Sequence, residues 1–446
     1  MTTAVKASYG IYLDRYHDLE KQRDGKSPAW LKTLRSDAIR AFADLGFPTT
    51  HLEDWKYTNV TPIANGPFQA ARAESSGNLE AQLRQSPFFD LGCSRLVFVN
   101  GFFSAGLSSL SDFPKNVRVS SLAAALASGA APLEQHLARY ADFKQHAFTA
   151  LNTAFLEDGA FIEVPRGVVL DAPIHILYVS TDQGEPHLSH PRNFIVVGQE
   201  GQARVIETHL GLDGNVYFSN SVTEIVAGEN SSVDYVKVQQ ESPAAFHVAT
   251  VVVHQARNAS VETNSIALGA RLGREDLVTV LDGEGAEALL SGLYVTGGSQ
   301  LIDNHTTIDH AMPHCASREF YKGILDGKST GVFNGKIIVR QDAQKTDSKQ
   351  SDKNLLLSED AVINTKPQLE IFADDVKCTH GATVGQIDAE AIFYLRSRGL
   401  GLAEARNLLI AAFANEITHR VKFLPLRERL NAELMTRLLP GRLAEE

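Results

Sequence analysis

Val196-Val197-Gly198 leads into Gln202-Ala203-Arg204-Val205, and Ile225-Val226-Ala227-Gly228 leads into Ser231-Ser232-Val233. The same texture returns in Val252-Val253-His254 before Ala259-Ser260-Val261, and in Val280-Leu281-Asp282-Gly283 before Glu287-Ala288-Leu289. It appears once more in Ile308-Asp309-His310 before Cys315-Ala316-Ser317. The small residues Ala203, Ser232, Ser260, Ala288 and Ala316 lie 29, 28, 28 and 28 positions apart. Strand, polar turn, small residue and strand at a fixed period is the signature of a solenoid. Because each unit is built of strands, the pattern predicts a parallel β-helix. A β-sandwich also uses many short strands but does not predict a constant period.

Outward from this core, the texture divides the chain into three. Residues 1–155 read as a mainly helical region, 156–388 as the β-helix, and 389–446 as a C-terminal helical domain. In the first region, the apolar spacing from Leu31 to Leu45 predicts a helix stopped by Gly46 and Pro48. Arg95 to Val99 predicts a strand, and the stretches Leu122 to Leu126 and Leu133 to Phe155 predict helices. At the other end, Asp388 is placed to cap a helix from Ala389 to Arg398. Leu402, Ala405, Leu408, Leu409, Ala412, Phe413 and Ile417 mark one apolar helical face, and Pro425 opens a third helix running to about Leu439. A solenoid needs its open end covered, so these helices are expected either to cap it or to dock another protein.

Composition narrows the function. The chain has 446 residues, 43% hydrophobic and 21% charged, with a formal charge of −11. That balance argues against a nucleic-acid partner, which would need a basic face. No apolar stretch approaches the length of a membrane span, and the first 32 residues lack the apolar core of a secretory signal. Cys93, Cys315 and Cys378 are the only cysteines, which makes no disulfide framework and fits a reducing cytoplasm.

Among the chemistry-bearing motifs, two nucleotide-site look-alikes fail. Gly327-Lys328-Ser329 lacks the correctly spaced first glycine and runs into a strand, where a phosphate loop must open a helix. Gly283-Glu284-Gly285 is one of the repeat's own turns. If ATP matters, another subunit must bind it. His305, His310, His314 and Cys315 are dense but badly spaced for one site, and read as turn residues; His187 and His190, beside Pro186 and Pro191, read as loop residues. Asp303, Asp309, Asp326, Asp342 and Asp347 are available for a β-helix carbohydrate-active enzyme, yet no repeated acid pair or aromatic cleft accompanies them.

Cys378 and His380 stand two apart in a strand-type run, so they share a face. Thiolate and imidazole are ligands for iron, iron–sulfur clusters and zinc. Two ligands do not complete a tetrahedral site. Either they bind nothing, or a second chain supplies the rest.

Several stretches together resemble the SufB/SufD family of iron–sulfur cluster assembly scaffolds, and within it the SufD type. They are Glu53-Asp54-Trp55-Lys56-Tyr57-Thr58, Tyr321-Lys322-Gly323-Ile324-Leu325, and Val332-Phe333-Asn334-Gly335-Lys336. Asn354-Leu355-Leu356-Leu357-Ser358, the run from Leu369 to Thr383, and Phe393-Tyr394-Leu395-Arg396-Ser397-Arg398-Gly399 complete them. The resemblance implies a right-handed parallel β-helix flanked by helical domains, acting as a non-catalytic scaffold of the SufBCD complex. It implies that His380, with Cys378 the weaker contributor, helps hold a nascent cluster shared with SufB. It further implies that the helix carrying Phe393, Tyr394, Arg396 and Arg398 docks the SufC ATPase, which binds the ATP. No stably bound cofactor is expected in this chain alone, and self-pairing is expected when SufB is absent. The alternatives are the carbohydrate-active enzyme, an independent zinc-binding protein, and a SufB-type sulfur acceptor, for which three thiols are few.

Overall fold

The computed structural model describes residues 3–23, 27–74, 79–212 and 214–437. Two parallel sheets make up its centre. One runs through Ala160–Val164, Arg192–Val197, Tyr217–Ala227, Phe246–Gln255, Leu272–Leu281, Leu301–His310, Thr330–Val339 and Val362–Ile371. The other runs through Ile174–Ser180, Gln202–Gly211, Ser232–Gln240, Ser260–Ala267, Glu287–Thr296, Ala316–Leu325, Asp347–Leu356 and Lys377–Gly385. The chain alternates between the sheets, so each strand pairs with the strands two before and two after it. The result is a β-solenoid of about 8 turns.

The registers correct the repeat in one respect. Gln202, Ser232, Ser260, Glu287, Ala316, Asp347 and Lys377 form one column, with steps of 30, 28, 27, 29, 31 and 30. Ala203 and Ala288 belong to the neighbouring column with Val233, Val261, Ser317, Ser348 and Cys378. The small residues thus straddle two adjacent columns, and slips of one residue in opposite directions preserved the period. The neighbouring column faces the lumen, where Ala203, Val233, Val261 and Ala288 are buried in one continuous apolar stack. Burying each larger aliphatic side chain of such a stack contributes about 1.5–3 kcal/mol.

A left-handed residue marks the turn into six strands of the second sheet, from Gln202–Gly211 to Asp347–Leu356: Glu200, Asn230, Asn258, Gly285, His314 and Lys345 have φ between 54 and 72°. Asparagine and glycine tolerate this conformation best. Here it lets each turn's N–H bond the next coil, as in Asn230 N to Arg257 O at 2.9 Å.

The flanks differ from expectation at three places. The helix predicted from Leu133 to Phe155 is two helices, Ala131–His136 and Ala147–Ala154. Between them the N–H groups of Ala138, Tyr140 and Ala141 donate to the buried Glu224 carboxylate at 2.9–3.1 Å instead of continuing a helix. On helix Leu402–Thr418 the buried stripe is Ala405, Ile410, Ala411, Ala414 and Ile417, which leaves Leu402 and Leu408 exposed. Finally, the C-terminal helices do not cap the solenoid. Ile410, Ala414, Ile417, Leu426 and Leu430 pack on the outer face of the second sheet against Val236, Val238, Ile266 and Leu293. Lys322 secures them by donating to Phe413 O at 2.9 Å and pairing with Glu416 at 2.8 Å. The last helix is described as Leu424–Arg437, so its expected end near Leu439 lies outside the described residues.

At the opposite end, Ser94–Val99 extends the second sheet in parallel beside Ile174–Ser180. The Trp55 motif clamps onto the outer face of the first sheet. The Arg274 guanidinium lies 3.7 Å over the Trp55 ring, and Thr58 donates to Asp303 at 2.5 Å.

Candidate functional site

With the helices laid along its side, the last turn of the solenoid is left uncovered. Among the described residues, strand Val362–Ile371 pairs with Thr330–Val339 alone, and Lys377–Gly385 pairs with Asp347–Leu356 alone. Each therefore ends its sheet with a free row of backbone donors and acceptors, the feature by which strands recruit another chain. Val362, Ile371, Phe372 and Val384 stand 48%, 38%, 64% and 49% exposed along this end. Pro367 is tolerated in the strand because it lies at an edge.

Cys378 and His380 occupy this end turn. Cys378 lies in register with Ser348, and His380 with Gln350. Both of those residues are buried and face the lumen, so the expected shared face is realised, and it is the inner one. Cys378 is half-buried against the core and His380 is exposed at the rim. Burial pushes the Cys378 thiol up, and the Asp347 charge adds to this, so the thiolate form is disfavoured at neutral pH.

Beneath the pair the lumen changes character. The Cys378 column continues through Ser348 and Ser317, whose hydroxyls lie 2.7 Å apart, and Ser317 meets His310 Nε2 at 2.9 Å. Under His380 come Gln350 and then Glu319, joined at 2.6 Å. Asp352 accepts from Asn354 at 2.6 Å. Sequence reading did not single out Glu319, Gln350 or Asp352. Their signal was available as polar residues at inward positions of the last three turns.

Burial raises Glu319 to about 7 and Asp352 to about 6. The unfolded chain releases the Glu319 proton near 4.5, while the folded chain keeps it to about 7, so stability falls as pH rises through that window. Glu319→Gln is therefore expected to stabilise the chain by about 3 kcal/mol near pH 8 and hardly at all near pH 4. Urea titrations at both pH values check this, and an equal gain at both would contradict it.

The other sequence candidates scatter. His305 and His310 sit on one strand rather than in a turn, and point to opposite faces. His305 pairs with Asp303 at 3.1 Å, and Cys315 Sγ contacts Gly283 O at 3.3 Å. His187 begins the short strand His187–Ser189 and is buried, while His190 is half-buried with its ring stacked on Phe155 at 5.1 Å. Asp309 is engaged by Arg340 and Asp347 by Arg318, so no acid pair faces a cleft there.

Helix Ala389–Ser397 begins as predicted, with Asp388 accepting from Glu390 N at 2.8 Å, and none of its residues is buried. Phe393 is 75% and Tyr394 57% exposed, Arg396 and Arg398 are exposed, and the Arg398 guanidinium lies 5.3 Å from the Tyr394 ring. Aromatic and arginine side chains at this exposure are the composition of a protein-binding patch.

Two family models match the chain: "SUF system FeS cluster assembly, SufBD core domain" over residues 178–413, and "SufBD protein N-terminal region" over residues 7–176. An iron–sulfur cluster assembly SufBD family protein of Synechocystis is 35% identical over 414 residues, 91% of either chain. The iron–sulfur cluster assembly protein SufD of Escherichia coli is 31% identical over 398 residues, 89% of this chain and 90% of that one. The SufD of Bacillus subtilis is 25% identical over 417 residues, 91% of this chain and 93% of its own.

Proposed function

Because the chain belongs to the SufBD family of iron–sulfur cluster assembly proteins, we propose that it is a SufD-type scaffold without catalytic turnover of its own. The carrying observation is the uncovered end turn, which presents His380 and Cys378 at the mouth of the lumen between two unpaired strand edges. Two donors are half a site. A related chain offering its own end strands and thiols, a SufB, would satisfy the edges and complete the ligands of a transient cluster. The cluster is cargo here. His380 is the main ligand from this side, since burial holds Cys378 as a thiol.

The three thiols also favour the SufD role over the sulfur-accepting one. Burial pushes Cys93 up to about 11 and raises Cys315 as well, so none is poised as a nucleophile. Free thiols suit a reducing compartment such as the cytoplasm. Without SufB, the same edges would pair with a second copy.

Helix Ala389–Ser397 is the docking element for the SufC ATPase, with Phe393 and Tyr394 as anchors and Arg396 and Arg398 as the charged rim. The tagged chain should retain both an ABC-type ATPase and a SufB from lysate. Arg396→Glu combined with Arg398→Glu should weaken ATPase binding about tenfold or more while leaving SufB bound. Undiminished ATPase retention would remove this helix from the interface, and loss of neither partner from any variant of the end strands would remove the pairing.

A further inference from the structure

Far from the open end, a second group of ligand-type side chains lies inside the solenoid wall. One ligand atom each from His209, Glu241 and His247 falls within 4.8 Å of the others, and all three residues are buried. His209 is an inward residue near the end of strand Gln202–Gly211; Glu241 sits in the turn after Ser232–Gln240, and His247 opens the next strand. The coiling of the chain therefore brings together three residues that sequence spacing does not mark.

The surroundings hold these groups as a metal site's outer shell would. Glu207 meets His209 Nε2 at 2.7 Å, and the Tyr178 ring stacks on the same imidazole at 4.9 Å. Carboxylate–histidine contacts of this kind orient metal-bound imidazoles. Gln239 Nε2 donates to Glu241 at 3.1 Å and fixes that carboxylate. His247 Nδ1 lies 2.8 Å from the Glu241 carboxylate, yet forms no aligned hydrogen bond with it.

Charge argues the same way. Three carboxylates, Glu207, Glu241 and Glu275, face one ammonium, Lys237, which donates to Glu275 at 2.7 Å and contacts His247 Nε2 at 3.1 Å. The carboxylates outnumber the ammonium by two, and a divalent cation balances both. Buried charge is costly unless compensated in this way.

We propose that His209, Glu241 and His247 form a binding site for a divalent transition-metal ion such as Zn2+ or Fe2+, separate from the cluster cargo at His380. Two imidazoles and one carboxylate are a standard donor set for both ions, with a remaining position for water. Binding through His247 Nδ1 moves the ring proton to Nε2, so Lys237 gives up its contact there and keeps the one to Glu275. Of the three, Glu241 also lines an open cleft of about 590 Å³, together with Leu210, Gln240 and Ser242.

Chelator-treated full-length protein titrated with Co2+ tests this. The expected result is one equivalent bound, with visible d–d bands and no thiolate charge-transfer band. Glu241→Gln, which keeps the Gln239 contact, should weaken binding at least about tenfold, whereas Cys378→Ser and His380→Ala should not alter the bands. Lys237→Gln offers Nε2–H an acceptor and removes the competing cation, so it should tighten binding. No stoichiometric Co2+ in the wild type, a charge-transfer band lost with Cys378, or unchanged affinity in Glu241→Gln overturns the site. If Glu241→Gln does not fold, Lys237→Gln decides: unchanged or weaker binding overturns it as well.

Discussion

His380→Ala should abolish most of the cluster-assembly capacity of the complex, by about tenfold or more, while leaving the chain folded. The two halves of this expectation have separate physical grounds. His380 is exposed at the rim, so its truncation removes little buried surface, and stability should change by no more than about 0.5 kcal/mol. Its column ends with it, and neither Gln350 nor Glu319 behind it can reach the mouth to replace the imidazole. Losing one donor from a composite site costs affinity for the cargo directly. Maturation of an iron–sulfur enzyme in cells that depend on this pathway is the readout, with thermal unfolding of the purified variant as the control. Full maturation in such cells would remove His380 from the site. Cys378→Ser should have the smaller effect, because burial already disfavours the thiolate.

The largest effect on stability is expected at Glu224. Its carboxylate is fully buried, takes Arg192 Nη2 at 2.6 Å, and accepts three N–H groups from the segment between helices Ala131–His136 and Ala147–Ala154. Arg192 is also fully buried and, among the described residues, otherwise donates only to the neutral oxygens of Asn152 and Thr153. Glu224→Gln leaves this guanidinium without a counter-charge and turns an amide N–H toward backbone donors. Breaking a buried pair on one side costs about 3–5 kcal/mol. The urea midpoint should fall accordingly, and a loss below about 1 kcal/mol would mean that the pair does not anchor the N-terminal region.

These two residues also mark what was legible in the sequence and what was not. The solenoid was legible because strand, turn and period are local and repeat, and because an error of one column at Ala203 cancels against another. The pairing of Cys378 with His380 was legible because a strand's twofold alternation is a property of two neighbouring residues. Glu224 was not, since its acceptor role depends on a segment more than eighty residues away. That segment's own helical pattern, from Leu133 to Phe155, gave no hint of a carboxylate breaking it. The buried face of helix Leu402–Thr418 was misread for a related reason. Leucine at positions 402 and 408 fits an apolar stripe equally well whether the stripe meets this chain or another. The lumen cluster of His209, Glu241 and His247 escaped because coiling, not spacing, assembles it.

The uncovered last turn has a further consequence in the energetics of a linear array. In a solenoid each turn draws its stability from contacts with its neighbours on both sides. Val362–Ile371 and Lys377–Gly385 have a neighbour on one side only, so opening them costs one interface where an internal turn costs two. The residues proposed to hold the cargo thus sit where the array frays first, at the low end of its local unfolding free energies. A partner docking there adds the missing interface, and the turn acquires the rigidity of an internal one. Assembly with the partner would in this way order the site as well as complete it, and departure of the partner would loosen the grip on whatever His380 holds.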